Sequence, residues 1–258
     1  MTEICQNALY MIKCMQRQMQ TETDNRLESL KENIAGIECG INEACARSGR
    51  KPSEVTIMAV TKYADAADIR RVIETGRIKI VGENKVQSVR ARWIDGGLAD
   101  LRRKVELHLI GHLQTNKAKT AVEIFDSIDS VDSLKTAAAV NRHAAEIGKT
   151  MPVLIQIKIS GAETQSGISP DEAGVLLKEA EKMKNLDVYG YMAIAPANAA
   201  EEEIFSAFSV AKALFDRDFG QSTGSGHIPV LSLGMSGDYK TAVRAGSTMV
   251  RIGGALFR

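Results

Sequence analysis

The sequence predicts an α/β protein built as a single (β/α)8 TIM barrel, with an additional helix ahead of the first strand. Three observations carry that expectation. The chain has 258 residues, and a barrel of this kind occupies about 250. From about residue 55 to the end, short β-branched runs alternate with helical patterns, the order that gives a parallel sheet with helices outside it. Several of the runs are nearly continuous in apolar residues, as strands covered on both faces are.

Taken in order, the strand runs are VTIMAVTK (55–62), RIKIVGEN (77–84), VELHLIGH (105–112), FDSIDSVD (125–132), PVLIQIKIS (152–160), LDVYGYMAIAP (186–196), PVLSLGMS (229–236) and STMVRIGGALF (247–257). Four helical patterns between them are distinct. ADAADIRRVIETG ends on Gly76, a suitable C-cap, and SLKTAAAVNRHAAEIG closes on Gly148. SPDEAGVLLKEAEKM starts with Ser169 as N-cap, Pro170 at the first helical position and acids in the first turn. EEEIFSAFSVAKALFDRDFG is amphipathic. A doubly wound open sheet is the alternative, but it calls for a glycine-rich turn after the first strand, and TKYADAAD there has no glycine. Residues 25–47 read as one helix before the barrel. Residues 1–24, rich in Met and Gln, stand outside the repeat as an extension, either a short extra helix or disordered; the barrel domain is expected over 25–258.

Composition narrows the function. With 33 basic and 32 acidic residues the net charge is +1, which argues against a nucleic-acid or membrane-surface partner. No apolar run approaches the ~20 residues of a membrane span. The N-terminus lacks the basic start and apolar stretch of a signal peptide, so the expected location is the cytoplasm. Cys5, Cys14, Cys39 and Cys45 form no CxxC pair and lie near no histidine; reduced, incidental thiols are the expectation rather than a disulfide framework or a metal.

Barrel sites form where strands end at their C-terminal side. Lys62 follows IMAVT at the end of the first strand. It either simply reaches solvent, as most lysines do, or serves as an amine nucleophile toward an aldehyde. Ser236 closes the seventh strand, and Gly253-Gly254 follow Arg251 in the eighth. A hydroxyl and two glycine N–H groups suit a phosphate at the usual barrel position, unless the glycines only serve tight turns. Arg251, a permanent cation, is either a surface charge or ion-pair partner, or a group facing the ring nitrogen of a cofactor. His108 and His112 share a face if the third strand runs straight, yet no acidic third ligand is obvious, and packing with hydrogen bonds is expected rather than a metal.

On these residues the chain resembles the YggS/PROSC family of pyridoxal 5′-phosphate (PLP) homeostasis proteins, whose barrel is similar to the N-terminal domain of alanine racemase. The matching stretches are AVTK (59–62), VGENKVQ (81–87), HLIGHLQTNKAK (108–119), SGI (166–168), GYMAIAP (190–196) and LSLGMSGDYKTAVRAGSTMVRIGGALF (231–257). The resemblance runs from about residue 25 to the C-terminus. It implies that PLP is the cofactor, that Lys62 carries it as an internal aldimine (a Schiff base), and that Asn84 lines the pocket. It also implies that Ser236, Gly253 and Gly254 cradle the phosphate and that Arg251 faces the pyridine nitrogen. Gly254 departs from the Thr or Ser often found there, Gln165 replaces a lysine common in the family, and residues 1–24 exceed most members.

The implied function is non-catalytic: PLP is carried within the cell, with PLP-dependent apo-enzymes as possible recipients. The competing class is a PLP enzyme, above all an amino-acid racemase; a barrel enzyme acting on another phosphorylated metabolite is weaker. A cation at the ring nitrogen opposes its protonation and so weakens the electron sink. Racemisation also needs a base on each face of the α-carbon. Lys62 can serve one; in alanine racemase a tyrosine from an additional β domain serves the other, and this sequence stops at Arg258, just after the eighth strand. Weak side reactions remain compatible with that expectation.

Overall fold

The computed structural model describes residues 3–160, 166–220 and 227–258, with side chains from residue 21 onward apart from that of Glu22. Eight parallel strands close on themselves in chain order. They are β1 (Thr56–Val60), β2 (Ile80–Glu83), β3 (Glu106–Leu109), β4 (Ser127–Val131), β5 (Met151–Ile157), β6 (Leu186–Ala193), β7 (Val230–Met235) and β8 (Met249–Ile252). The ring closes where Met58 of β1 lies opposite Arg251 of β8. The barrel expectation therefore holds, and all eight apolar runs become strands, each shorter than its run.

The helices are α1 (Glu3–Ser48), α2 (Ala66–Glu74), α3 (Val86–Val89), α4 (Ala118–Ile124), α5 (Leu134–Glu146), α6 (Pro170–Ala180), α7 (Glu201–Phe219), α8 (Tyr239–Arg244) and α9 (Gly254–Phe257). Asp65 caps α2 by accepting the N–H of Asp68, and Ser133 caps α5 by accepting that of Thr136. Gly76 and Gly148 take positive φ after α2 and α5, the left-handed conformation that ends a helix. Ser169 precedes α6 as expected, but its hydroxyl donates to the Glu172 carboxylate rather than accepting a backbone N–H.

One apolar layer packs the strands against the outer helices, with Trp93, Phe125 and Phe208 fully buried in it. A second layer seats α1 on the barrel through Leu30, Ile34, Ile37, Ile41 and Cys45, against Val250, Ile252 and Leu256. Helix α1 passes through residue 24 without a break. It also holds the C-terminal turn: Arg26 donates to Asp68 and to the Phe257 carbonyl, and Asn33 donates to the Leu256 and Arg258 carbonyls. Among the described residues no helix is long and apolar enough to cross a membrane, and no group of three or more His, Cys, Asp or Glu stands ready to hold a metal.

Candidate functional site at the barrel mouth

Val60 of β1 lies opposite Gly82 of β2, so Lys62 and Asn84 each stand two residues beyond an aligned pair, side by side at the C-terminal rim. Lys62 is exposed, and its ammonium sits 4.9 Å from the centroid of the Tyr63 ring, itself 90% exposed. Asn84 is half-buried. Gly111 rests on its backbone so closely that a Cβ there would come within 2.1 Å of the Asn84 carbonyl oxygen. A cavity of about 390 Å³ opens beside them, lined by Asn84, Gln87, His112 and Lys117 among others.

The other half of the rim comes from β7 and β8. The Ser236 hydroxyl accepts the N–H of Gly253 at 3.3 Å and that of Ala255 at 3.1 Å. These are N–H groups at the start of α9, where a helix offers no internal partner. Asp238 shapes the loop behind Ser236 by accepting the Met235 N–H at 2.5 Å; burial pushes its carboxyl up, only partly offset by that bond and by Arg251. Gly253 has a packing reason to be glycine, since a Cβ would lie 3.1 Å from the Val60 carbonyl oxygen. At Gly254 the nearest atom to a Cβ is the Arg258 guanidinium, 3.5 Å away, so a Thr or Ser would fit. Ser236 and the Gly253-Gly254 turn thus form one unit, pressed against the strand that leads to Lys62.

Arg251 is buried inside the barrel rather than exposed as a surface charge, and among the described residues it forms no ion pair. Its Nη1 donates to the Ser232 carbonyl at 2.6 Å and the Ser232 hydroxyl at 2.8 Å, and its Nη2 to the Ala193 carbonyl at 2.8 Å. Burial lowers its pKa to about 10, against the opposing pull of Asp129 and Asp238, so it stays a cation at neutral pH. The two histidines do not share a face, because β3 ends at Leu109. His108 is buried against Asp129, 2.9 Å away, whereas His112 lies beyond the strand, exposed, 3.1 Å from Asp132. Gln165 falls outside the described residues.

Sequence reasoning passed over the groups that hold these side chains. Ser232 and Ala193 anchor Arg251, and Glu83, Arg92 and Trp93 surround the turn that carries Lys62. Glu83 was visible as a strand-end acid beside Asn84; Arg92 and Trp93 gave no signal, since nothing in their spacing ties them to residue 62.

A family model described as "Alanine racemase, N-terminal domain" matches residues 33–258. The "Pyridoxal phosphate homeostasis protein" of Escherichia coli K12 is 36% identical over 238 residues, which cover 90% of this chain and 97% of that protein. The chain belongs to this family. The protein of the same name from Pseudomonas aeruginosa is 33% identical over 232 residues, covering 90% of this chain and 96% of its own. Among solved structures, PipY of Synechococcus elongatus with PLP bound has a TM-score of 0.71 at 34% identity, covering 84% of this chain and all (100%) of PipY. A Bifidobacterium adolescentis protein described as unknown has a TM-score of 0.83 at 30% identity, covering 91% of this chain and 96% of that one. Alanine racemase from Clostridium difficile, at 18% identity and a TM-score of 0.66, shares the fold; the match covers 89% of this chain and 56% of the racemase.

Proposed function

We propose that this chain binds PLP at the barrel mouth and serves its homeostasis inside the cell, holding the cofactor for PLP-dependent apo-enzymes rather than turning over a substrate of its own. The observation that carries the reading is the joined rim: Ser236 bonded to the Gly253 and Ala255 N–H groups, with Gly253 against Val60, the strand that runs on to Lys62. The names of its family members and the PLP-bound PipY structure support it.

The donor set fits PLP. When bound, the cofactor supplies an aldehyde that condenses with an amine and a ring that can withdraw electrons. A hydroxyl that accepts two N–H bonds still has its own proton to donate, so Ser236 can turn that proton to a phosphate oxygen while the turn's N–H groups favour the negative charge. Lys62 supplies the amine at the rim, and Asn84 borders the same space. Arg251, held by Ser232 and Ala193, would offer a cation to the ring nitrogen and oppose its protonation. That would weaken the electron withdrawal which racemisation and transamination need, and this favours the carrier reading over the racemase one.

The test is a PLP titration of the unloaded protein followed by borohydride reduction and peptide mapping. The label should fall on Lys62 and vanish in Lys62→Ala at unchanged circular dichroism. An adduct that survives in Lys62→Ala, or equal affinity for pyridoxal and PLP, would sink the site. Amino-acid racemisation or transamination by the loaded protein at the ~1–1000 per second usual for enzymes would replace the carrier with an enzyme.

A further inference from the structure

The structure assigns Glu83, together with Arg92 and Trp93, as the positioning device that fixes the turn carrying Lys62. This inference rests on the reading of Lys62 as the attachment point. The observation behind it is a convergence of donors. One Glu83 carboxylate oxygen accepts the Thr61 hydroxyl at 2.7 Å, the Trp93 indole N–H at 3.1 Å and an Arg92 Nη1–H at 3.3 Å. Glu83 is 1% exposed and Trp93 fully buried. A carboxylate in such a place is tolerated only when its oxygens are matched by donors and charge.

Arg92 then reaches past the carboxylate to the turn itself. Its Nη1 donates to the Thr61 carbonyl at 3.2 Å and its Nη2 to the Ala64 carbonyl at 2.8 Å. One guanidinium therefore brackets Lys62, holding the carbonyl just before it and the carbonyl two residues after it. The turn's own backbone adds only the Ala64 N–H to the Thr61 carbonyl, while the Thr61 N–H goes to Gly82. A lysine side chain is long and flexible, so the placement of its amine depends on how firmly its Cα is held.

The helix that delivers these groups is locally unusual. Helix α3 passes into a π-turn over Arg90–Ile94, with the Asp95 N–H reaching back to the Arg90 carbonyl. Single π-turns inside helices recur at functional sites. Here the turn brings two consecutive residues, Arg92 and Trp93, onto the same carboxylate oxygen. A purely structural ion pair between α3 and the barrel would need Glu83 and Arg92 only; the bonds from Arg92 to the carbonyls either side of Lys62 go beyond that.

The test uses the full chain with Arg92→Lys, which keeps the charge and loses the fork, Arg92→Met, which loses both, and Glu83→Gln, which keeps an acceptor for Thr61 and Trp93. Three quantities are measured: amide hydrogen exchange at residues 62–64 in the unloaded protein, PLP affinity, and the pH midpoint of the bound cofactor's absorbance. Exchange at 62–64 should speed up selectively in both Arg92 variants. Affinity should fall about tenfold or more in Arg92→Met, as expected for lost hydrogen bonds to a charged group, with Arg92→Lys intermediate, Glu83→Gln milder and the pH midpoint displaced. Wild-type exchange, affinity and midpoint in Arg92→Met would overturn the inference. A loss of thermal stability with exchange raised evenly over the whole barrel would also overturn it, leaving a structural pair. If wild-type protein carries no reducible label on Lys62, the proposed function fails, and the exchange measurement still decides whether Arg92 fixes the turn.

Discussion

The two ends of the barrel interior treat charge in opposite ways. At the N-terminal end, polar groups are matched with one another: His108 faces Asp129, Ser127 donates to Asp129 at 2.6 Å, and the Ser127 and Tyr189 hydroxyls lie 3.0 Å apart. The Tyr189 ring in turn packs 5.4 Å from that of His227, which sits 2.5 Å from Asp187. At the C-terminal end Lys62 rests on an exposed tyrosine ring, and Ser236 accepts two N–H groups with its own proton still to give. The closed end is completed by folding, whereas the open end leaves an amine and a hydroxyl proton for the proposed ligand. In a barrel whose walls are common to many chemistries, that contrast is a better guide to the proposed site than polarity alone, for both ends hold ionisable groups.

The sharpest way to break the contrast is Asp129→Ala. It leaves the His108 imidazole and the Ser127 hydroxyl buried without their carboxylate, and removing one partner of a buried pair costs about 3–5 kcal/mol. Chemical denaturation should show a loss of that order; a loss under about 1 kcal/mol would mean that the closed end is not structural. The second measurement is stability against pH. Burial alone would depress His108, but Asp129 and Glu106 outweigh it and raise the pKa from 6.5 to about 9. The sign follows from the proton count: the folded state binds the proton more tightly than the unfolded one. The contribution is therefore fully present below about pH 6.5 and is lost as the pH rises through about 9, a change of a few kcal/mol at most. His108→Gln should flatten that slope; an unchanged slope would place the titration elsewhere.

Smaller effects are expected at the rim. Ser236→Ala should weaken PLP about tenfold, the worth of one hydrogen bond to a charged group, while pyridoxal binding and the unfolding midpoint stay nearly unchanged. If stability fell further than affinity, the rim would be another structural patch. The smallest effect belongs to Gly254→Thr. The space around Gly254 admits a side chain, so an added hydroxyl should tighten PLP a few-fold at most. A strong loss of affinity would show that the close approach of a bare backbone is what the phosphate needs there.

Much of this is legible in the sequence because barrels obey simple rules. The apolar runs become strands since a parallel sheet covered on both faces buries such β-branched residues, and Lys62, Ser236 and Gly253 lie at the rim because that is where such strands end. What escapes is contact between residues far apart in the chain. Arg92 is 31 residues from Thr61, and no periodicity links them. The π-turn that aims Arg92 has no sequence signature. His108 and His112 mislead because their spacing means one face only in a straight strand, and β3 stops one residue after the first of them. The Ser169 hydroxyl turns to a side chain because Glu172 lies within its reach.

The contact of Gly253 with Val60 joins the last strand to the first, and Arg26 and Asn33 of α1 fasten the C-terminal turn from outside. The proposed cradle and the amine beside it therefore come from the last two strands and the first. During synthesis Lys62 emerges long before Ser236 and Gly253, and no partial product can present both halves. A ligand that needs both binds only the completed ring and stabilises it by mass action. On the proposed site, retention of the cofactor would report barrel closure, and a chain truncated before β8 should keep its lysine yet fail to hold the phosphate.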